Sequence, residues 1–178
     1  MAAGLRLCLD LNIWCAAFLN DRADKRNTAT QQFVHIVRQG TSSLGPVQLI
    51  ISWGMLDRLR KVLHRDWKID ADTTNALIES IANYATLGPS GDGPYLSLGG
   101  VNMFPLRDAE DVHVLETALA GNANILITAN FYDFTSHKID RLIPGKLGRY
   151  TGPKGEILIA HPSIAFEWFK AGAITLPA

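Results

Sequence analysis

Oxygen-bearing side chains follow several short apolar segments of this sequence, and they indicate where its chemistry lies. Asp10 and Asn12 come after the apolar segment 5–9, and Ser52 comes after the segment 47–51. Thr128 ends the segment 124–128, and Asn130 and Asp133 come after it. Asp108 and Asp111 open the helix predicted before that segment. Each segment is typical of a buried strand. Because ligands bind beyond the carboxyl ends of parallel strands, we expect these side chains to converge at one edge of a sheet.

Carboxylates gathered at an apolar edge repel one another, and a bound divalent cation removes that repulsion. Oxygen ligands without a Cys/His cluster favour Mg²⁺ or Mn²⁺ over zinc. Such an ion orients water and offsets charge on a phosphodiester, so the pattern predicts metal-dependent phosphodiester hydrolysis. The competing interpretation is local and structural. Asp10 and Asp108 are also suited to capping helices, and Asn130 with Asp133 to forming a turn.

The elements that must position these residues alternate along the chain. Short apolar strands separated by helices predict an α/β fold, with helices on both faces of a central, mainly parallel sheet. We expect strands at 5–9, 47–51, 95–101, 124–128 and 157–159, and helices at 13–19, 24–39, 53–65, 70–87, 108–119 and 163–170. A polar break is predicted at 20–22, and a long Gly/Pro-containing stretch at 143–155.

Composition restricts the class of protein. The chain has 178 residues, of which 47% are hydrophobic, so residues 1–178 are expected to form a single domain with a substantial core. Lys plus Arg and Asp plus Glu both number 17, which excludes a strongly basic nucleic-acid coat. No segment is apolar enough to cross a bilayer. Two cysteines form no disulfide framework, and we therefore expect a cytoplasmic protein with no membrane partner.

Three stretches resemble the PIN-domain family of nucleases. The first is Leu-Cys-Leu-Asp10-Leu-Asn12, similar to the family's opening strand and Asp-x-Asn. The second, from Asp108 to Phe134, resembles the family's Asp-headed helix and its strand ending Thr-x-Asp/Asn-x-x-Asp-Phe. The third, from residue 157 to 169, is similar to the strand, proline and helix that close one PIN subgroup. The resemblance covers most of the chain in the expected order.

The resemblance implies a three-layer α/β/α sandwich that cleaves single-stranded RNA with Mg²⁺ or Mn²⁺. By position, Asp10, Asp111 and Asn130 are the implied metal ligands. The same matching makes Asn12, Ser52 and Thr128 residues that orient the ligands, with Asp133 a further candidate. Many bacterial members are VapC-type toxins, so the resemblance also implies an antitoxin partner and a homodimer.

One position departs from the family pattern. The family usually carries a Glu in the helix after Ser52, but Arg58 occupies that position here, with Asp57 beside it. Adjacent helical residues point about 100° apart, so Asp57 replaces the missing Glu only if the helix shifts. Asn130 in place of Asp removes a second negative charge. The catalytic set inferred from the sequence is therefore Asp10, Asp111, Asp57 and Asn130.

Contact with RNA requires positive charge and surfaces for the bases. Arg58, Arg60 and Lys61 lie on one predicted helix and are candidate phosphate contacts, although a solvated helix face explains them equally well. The region after Asn130 carries further basic residues, namely Lys138, Arg141, Lys146 and Arg149. The chain's four tryptophans, among them Trp53, are candidates for stacking on bases.

Three functions remain open at this stage. The first is a PIN-type endoribonuclease, with or without a toxin role. The second is a degenerate PIN domain that binds RNA or a protein partner without cleavage, which Arg58 and Asn130 favour. The third is a phosphoryl-accepting Asp10. Asn12 and the lack of a lysine at a later strand end argue against this third function.

Overall fold

The computed structural model describes residues 4–94, 109–134 and 138–178, with the side chains of residues 109–111 and 133 left out. The strand expected at 95–101 and Asp108 therefore lie outside the described residues. The described strands are β1 Leu5–Leu9, β2 Thr41–Ser42, β3 Gly45–Ile50, β4 Ile125–Ile127, β5 Ile139–Ile143, β6 Leu147–Gly152 and β7 Gly155–Ala160. The described α-helices are α1 Leu11–Arg22, α2 Ala29–Gln39, α3 Trp53–Lys61, α4 Ala71–Thr86, α5 Ala109–Ala120 and α6 Pro162–Ala171.

The strands form one sheet in the order β2-β3-β1-β4-β7-β6-β5. The central four strands, β3, β1, β4 and β7, pair in parallel, whereas β2, β6 and β5 pair antiparallel. The crossover from β1 to β3 and the crossover from β3 to β4 run in opposite directions across the sheet. Right-handed crossovers then place their helices on opposite faces, which confirms the α/β class predicted from the alternation.

The core lies on both faces of the central strands. Leu7, Cys8 and Leu9 of β1 and all of β4 are fully buried, as expected of parallel strands covered by helices. The largest fully buried side chains on the helices around them are Trp14 and Phe33. None of the helices in the described ranges is long and apolar enough to cross a bilayer.

Two local predictions were wrong. The break predicted at 20–22 does not exist, because α1 continues to Arg22 and the chain turns between α1 and α2. Positive φ at Asp24 and Asn27 makes that turn, and a capping box between Thr28 and Gln31 begins α2. The stretch 143–155 is not a long loop, since it contains β6 and the ends of β5 and β7 in tight hairpins.

Candidate active site at the carboxyl edge of the sheet

Asp10 lies at the carboxyl end of the central strand. The register pairs Leu9 with Ile127, so Asp10 comes level with Thr128, and the Asp10 N–H donates to the Ile127 carbonyl at 3.0 Å. Asp10 also ends β1 and begins α1 as its N-cap, where its Oδ1 accepts from the Leu11 N–H at 2.6 Å. The structural interpretation of Asp10 as a cap is therefore correct, and it does not exclude a second role.

Two polar side chains orient the other carboxylate oxygen of Asp10. The Thr128 hydroxyl donates to Oδ2 at 2.6 Å, and the Asn12 amide donates to the same oxygen at 3.0 Å. The Asn12 amide oxygen in turn accepts from the Ala129 N–H at 3.1 Å, which ties the start of α1 to the chain after β4. Asn12 and Thr128 therefore contact Asp10, as the orienting role implied by the PIN resemblance requires. Asp10 itself is only 4% exposed.

The carboxylate of Asp10 affects two nearby thiols. Burial, followed by the negative charge of Asp10, raises the pKa of Cys15 to about 11. Burial, followed by the charge of Asp10, raises the pKa of Cys8 well above its ordinary range. Both thiols are free and remain protonated at neutral pH, so neither supplies a thiolate ligand to this site.

A second polar contact joins β3 to α5 at the same edge. Ser52 follows β3 and caps α3, where its hydroxyl oxygen accepts from the Met55 N–H at 3.1 Å. The same oxygen lies 3.0 Å from Nε2 of the buried His113 on α5. Gly54 makes room for that imidazole, because a Cβ at residue 54 would lie 2.3 Å from Nε2.

His113 is the centre of a buried polar cluster. Burial lowers the pKa of His113 below its ordinary value of 6.5, and the positive charge of Arg58 lowers it further. The negative charge of Glu116, which is 7% exposed, acts to raise the pKa of His113. Nδ1 of His113 has no hydrogen-bond partner among the described residues. Arg58 therefore lies near α5 rather than on a fully solvated helix face.

The Ser52–His113 contact brings the first turns of α5 to the carboxyl edge. Because α5 precedes β4 directly, the helix runs back along the sheet and begins at the edge where β1 and β4 end. Residue 111 lies one half-turn before His113, so the backbone places it at this edge. The side chain of Asp111 lies outside the described residues, as does that of Asp133.

The remaining predicted site residues occupy different surroundings. Asp57 is exposed and pairs with Arg60 on its own helix at 2.5 Å, while Lys61 is exposed about 12 Å along α3 from the edge. Asn130 is exposed at the edge, and its N–H donates to the Thr128 hydroxyl at 3.1 Å.

The oxygen ligands available at the edge suit a hard divalent cation. The Asp10 carboxylate, with amide and hydroxyl groups around it, is a donor set of the kind that Mg²⁺ and Mn²⁺ prefer. Among the described side chains, which do not include those of residues 109–111 and 133, no three His, Cys, Asp or Glu are grouped so as to hold a metal ion. Asp10 is the described carboxylate at this edge that could hold such an ion, and Asp111 is the second ligand that the sequence predicts.

Sequence reasoning missed three members of this region. The sequence patterns assign no role to His113, Gly54 or Glu116. One signal was available, since a glycine in the first turn of a helix indicates close approach of another group. The partner of that glycine is 59 residues away, and only the tertiary structure identifies it.

The fold and the site define an α/β protein whose central parallel strand ends at a buried aspartate, Asp10, which accepts hydrogen bonds from Asn12 and Thr128. The chain belongs to the PIN-domain family, whose model matches residues 6–132. The PIN family is a family of nucleases, and its members generally use divalent metal ions. No curated protein matches this chain.

Proposed function

We propose that this PIN domain is a metal-dependent endoribonuclease that hydrolyses phosphodiester bonds of single-stranded RNA. The observation that carries the proposal is the Asp10 carboxylate at the carboxyl end of β1, buried and oriented by the Thr128 hydroxyl at 2.6 Å. A nuclease needs a carboxylate held rigidly before the metal arrives, and these hydrogen bonds provide that rigidity.

Each residue has a separate role in the proposal. Asp10 and Asp111 hold Mg²⁺ or Mn²⁺, with Asn130 as a neutral oxygen ligand. Thr128 and Asn12 fix the direction of the Asp10 carboxylate. The bound ion supplies an activated water and offsets the negative charge that develops on the phosphodiester. The hydrogen bonds from Leu11, Asn12 and Thr128 hold the Asp10 carboxylate in one orientation.

The experiment is cleavage of a fluorescent single-stranded RNA by purified protein with Mn²⁺, with and without a chelator. We expect cleavage with Mn²⁺, none with the chelator, and none by Asp10→Asn at equal purity. Asp72→Asn on the exposed first turn of α4 is the matched control and should cleave normally. An RNA left intact by the wild-type protein, while a control nuclease cuts it, would reject the enzyme proposal.

The second candidate is a PIN domain that binds RNA or a protein without cutting. It is favoured by the position of Arg58, whose charge lies near His113 where the family usually carries Glu, and by the pairing of Asp57 with Arg60. Arg58→Glu combined with Asn130→Asp restores both missing charges. New or strongly increased cleavage by this double variant, from an inactive parent, would establish the degenerate alternative.

A toxin role is part of the same proposal. It rests on the sequence resemblance alone and implies an antitoxin partner and a homodimer in the cytoplasm. A small adjacent reading frame that encodes a DNA-binding protein supports the toxin role. Co-purification of its product with this chain, with loss of RNA cleavage, tests the antitoxin directly.

A further inference from the structure

Two aromatic side chains are exposed at the carboxyl edge. The large hydrophobic residues that are exposed within the described ranges are Leu19, Trp53, Leu87, Tyr132, Ile174 and Leu176. Only Trp53 and Tyr132 of this set are aromatic, and they are 45% and 80% exposed. Single exposed leucines are ordinary on a protein surface. Both exposed aromatic residues occur at the edge that carries Asp10, since Trp53 follows β3 and Tyr132 follows β4.

The topology places the two rings on either side of Asp10. Trp53 is the first residue of α3 and follows the end of β3, and Tyr132 lies in the 3₁₀ turn Phe131–Phe134 that follows β4. β3 and β4 are the two neighbours of β1. Adjacent strands lie about 4.8 Å apart, so the strands that lead to the two rings are about 10 Å apart, with β1 between them.

One positive charge lies at the end of this edge next to β7. Lys146, in the turn between β5 and β6, accepts a 2.8 Å hydrogen bond from the His161 N–H, which follows β7. Its positive charge contributes to lowering the pKa of His161, after the larger effect of burial. A cation therefore lies beyond Tyr132 on the far side from Trp53, where it can contact a phosphate.

We infer that Trp53 and Tyr132 are stacking platforms for two bases of a single-stranded RNA that crosses the end of β1. This inference rests on the proposed function, and it names the residues that select an unpaired strand. Stacking accepts any base, because every base has a π-face, whereas bases paired in a duplex are not available to the rings. The RNA is thereby held with its backbone across Asp10.

The test is binding measured without metal, so that it does not depend on cleavage. The probes are fluorescein-labelled single-stranded oligo(U) and oligo(A) and a duplex of the two, in the presence of a chelator. We expect Trp53→Ala and Tyr132→Ala each to weaken single-strand binding about 5- to 150-fold. Trp53→Phe and Tyr132→Phe should keep most of the affinity, and the duplex should bind weakly to every variant.

The matched control is Leu87→Ala. Leu87 is 83% exposed but ends α4, and the chain directly after it contacts Arg6 at the start of β1, so it lies at the opposite edge of the sheet. We expect no change in binding. Since all three substituted side chains are exposed, thermal unfolding should be unaffected, and it verifies that each variant folds.

Tryptophan fluorescence gives an independent measurement. Trp14 and Trp168 are buried, and Trp67 is half-buried about 14 residues along the helix from Trp53, so quenching on RNA binding should come mainly from Trp53. Trp53→Phe should abolish most of the quenching while binding persists.

Unchanged affinity of both alanine variants would overturn the inference even if the wild-type protein cleaves RNA. An aromatic-dependent affinity in a protein that does not cleave would support the inference and reject the nuclease proposal. If single-stranded RNA does not bind at all, the inference fails and the rings become candidates for a protein contact.

Discussion

At the scale of single residues, the stability and orientation of the Asp10 carboxylate depend on the residues that hydrogen-bond to it. Its carboxylate is buried, and a buried carboxylate is stable only when donors compensate for lost hydration. The Leu11 N–H, the Asn12 amide and the Thr128 hydroxyl provide that compensation. The same donors fix the direction in which the carboxylate presents its oxygens.

Thr128→Val tests the contribution of one donor. Valine keeps the shape of threonine but removes the hydroxyl that donates to Asp10 and accepts from the Asn130 N–H. We expect a loss of about 1.5–3 kcal/mol in the free energy of unfolding, the range for hydrogen bonds to charged groups. Thr128→Ser keeps the hydroxyl and should cost about 1 kcal/mol or less. Urea denaturation measures both variants, and equal stability of Val and wild type would contradict the account.

Gly54→Ala tests the approach of α5 to α3. The new Cβ would lie 2.3 Å from Nε2 and 2.7 Å from Cε1 of His113, whose ring is buried and cannot swing into solvent. We expect a loss of about 1–3 kcal/mol, as for overpacking in a core. Gly93→Ala is the control, since its Cβ would meet only the Thr86 hydroxyl at 3.5 Å. A destabilisation by Gly93→Ala as large as that by Gly54→Ala would show that loss of glycine, not the clash, is responsible.

At the scale of elements, several helices begin at residues whose side chains accept from the first N–H groups. Ser52 caps α3, Thr28 caps α2 and Asp70 caps α4. Asp70 Oδ1 accepts from the Thr73 N–H at 2.8 Å, and this hydrogen bond holds the pKa of Asp70 below its ordinary value of 3.8. Helix starts are encoded locally, which explains why several were predicted closely from the sequence.

The Asp70 cap makes a prediction about pH. A lowered pKa in the folded state means that the charged cap stabilises the fold above about pH 3.8, and that this contribution is lost as the pH falls through the folded pKa. Asp70→Ala should therefore melt at a lower temperature than wild type at pH 7, with a smaller difference at pH 3. Asp70→Ser keeps a neutral cap and should restore most of the stability at pH 7. A wild-type advantage over Asp70→Ala that is equal at both pH values would contradict the assignment.

At the scale of the whole molecule, the charges balance. Lys plus Arg equal Asp plus Glu at 17 each, and many basic side chains pair with acidic ones on the surface. Such pairs include Arg6–Asp92, Arg60–Asp57 and Arg149–Glu156. A neutral surface attracts RNA weakly at long range, so the affinity must come mainly from contacts at the carboxyl edge.

The salt dependence of RNA binding follows from this balance. Each phosphate contact on a single strand adds about −0.7 to the slope of the logarithm of the binding constant against the logarithm of salt concentration, so the few cations at this edge predict a shallow slope. Lys146→Ala should reduce the magnitude of that slope by about 0.7. Binding titrations over a series of salt concentrations measure the slope. A steep value, near −6, would indicate a basic surface that the proposed edge does not include.

Prediction from sequence worked where the signal is local. Apolar runs predicted the central strands, and Asp10 was predicted as a helix cap because capping depends on a few adjacent residues. The prediction failed at 143–155, where glycine and proline form hairpin turns rather than a long loop. Glycine and proline occur both in long loops and in hairpin turns, and only the pairing of β6 with β7 distinguishes the two structures.

The amino-acid sequence alone determined the alternation of strands and helices, the oxygen ligands at the strand ends and the resemblance to PIN nucleases. The tertiary structure decided which of those groups meet. It joined Asp10 to Thr128 across 118 residues, placed His113 against Ser52 and Gly54, and brought the exposed rings of Trp53 and Tyr132 to either side of β1. The physical reason is that strand order and helix packing are set by burial across the whole chain, and no local pattern carries that information.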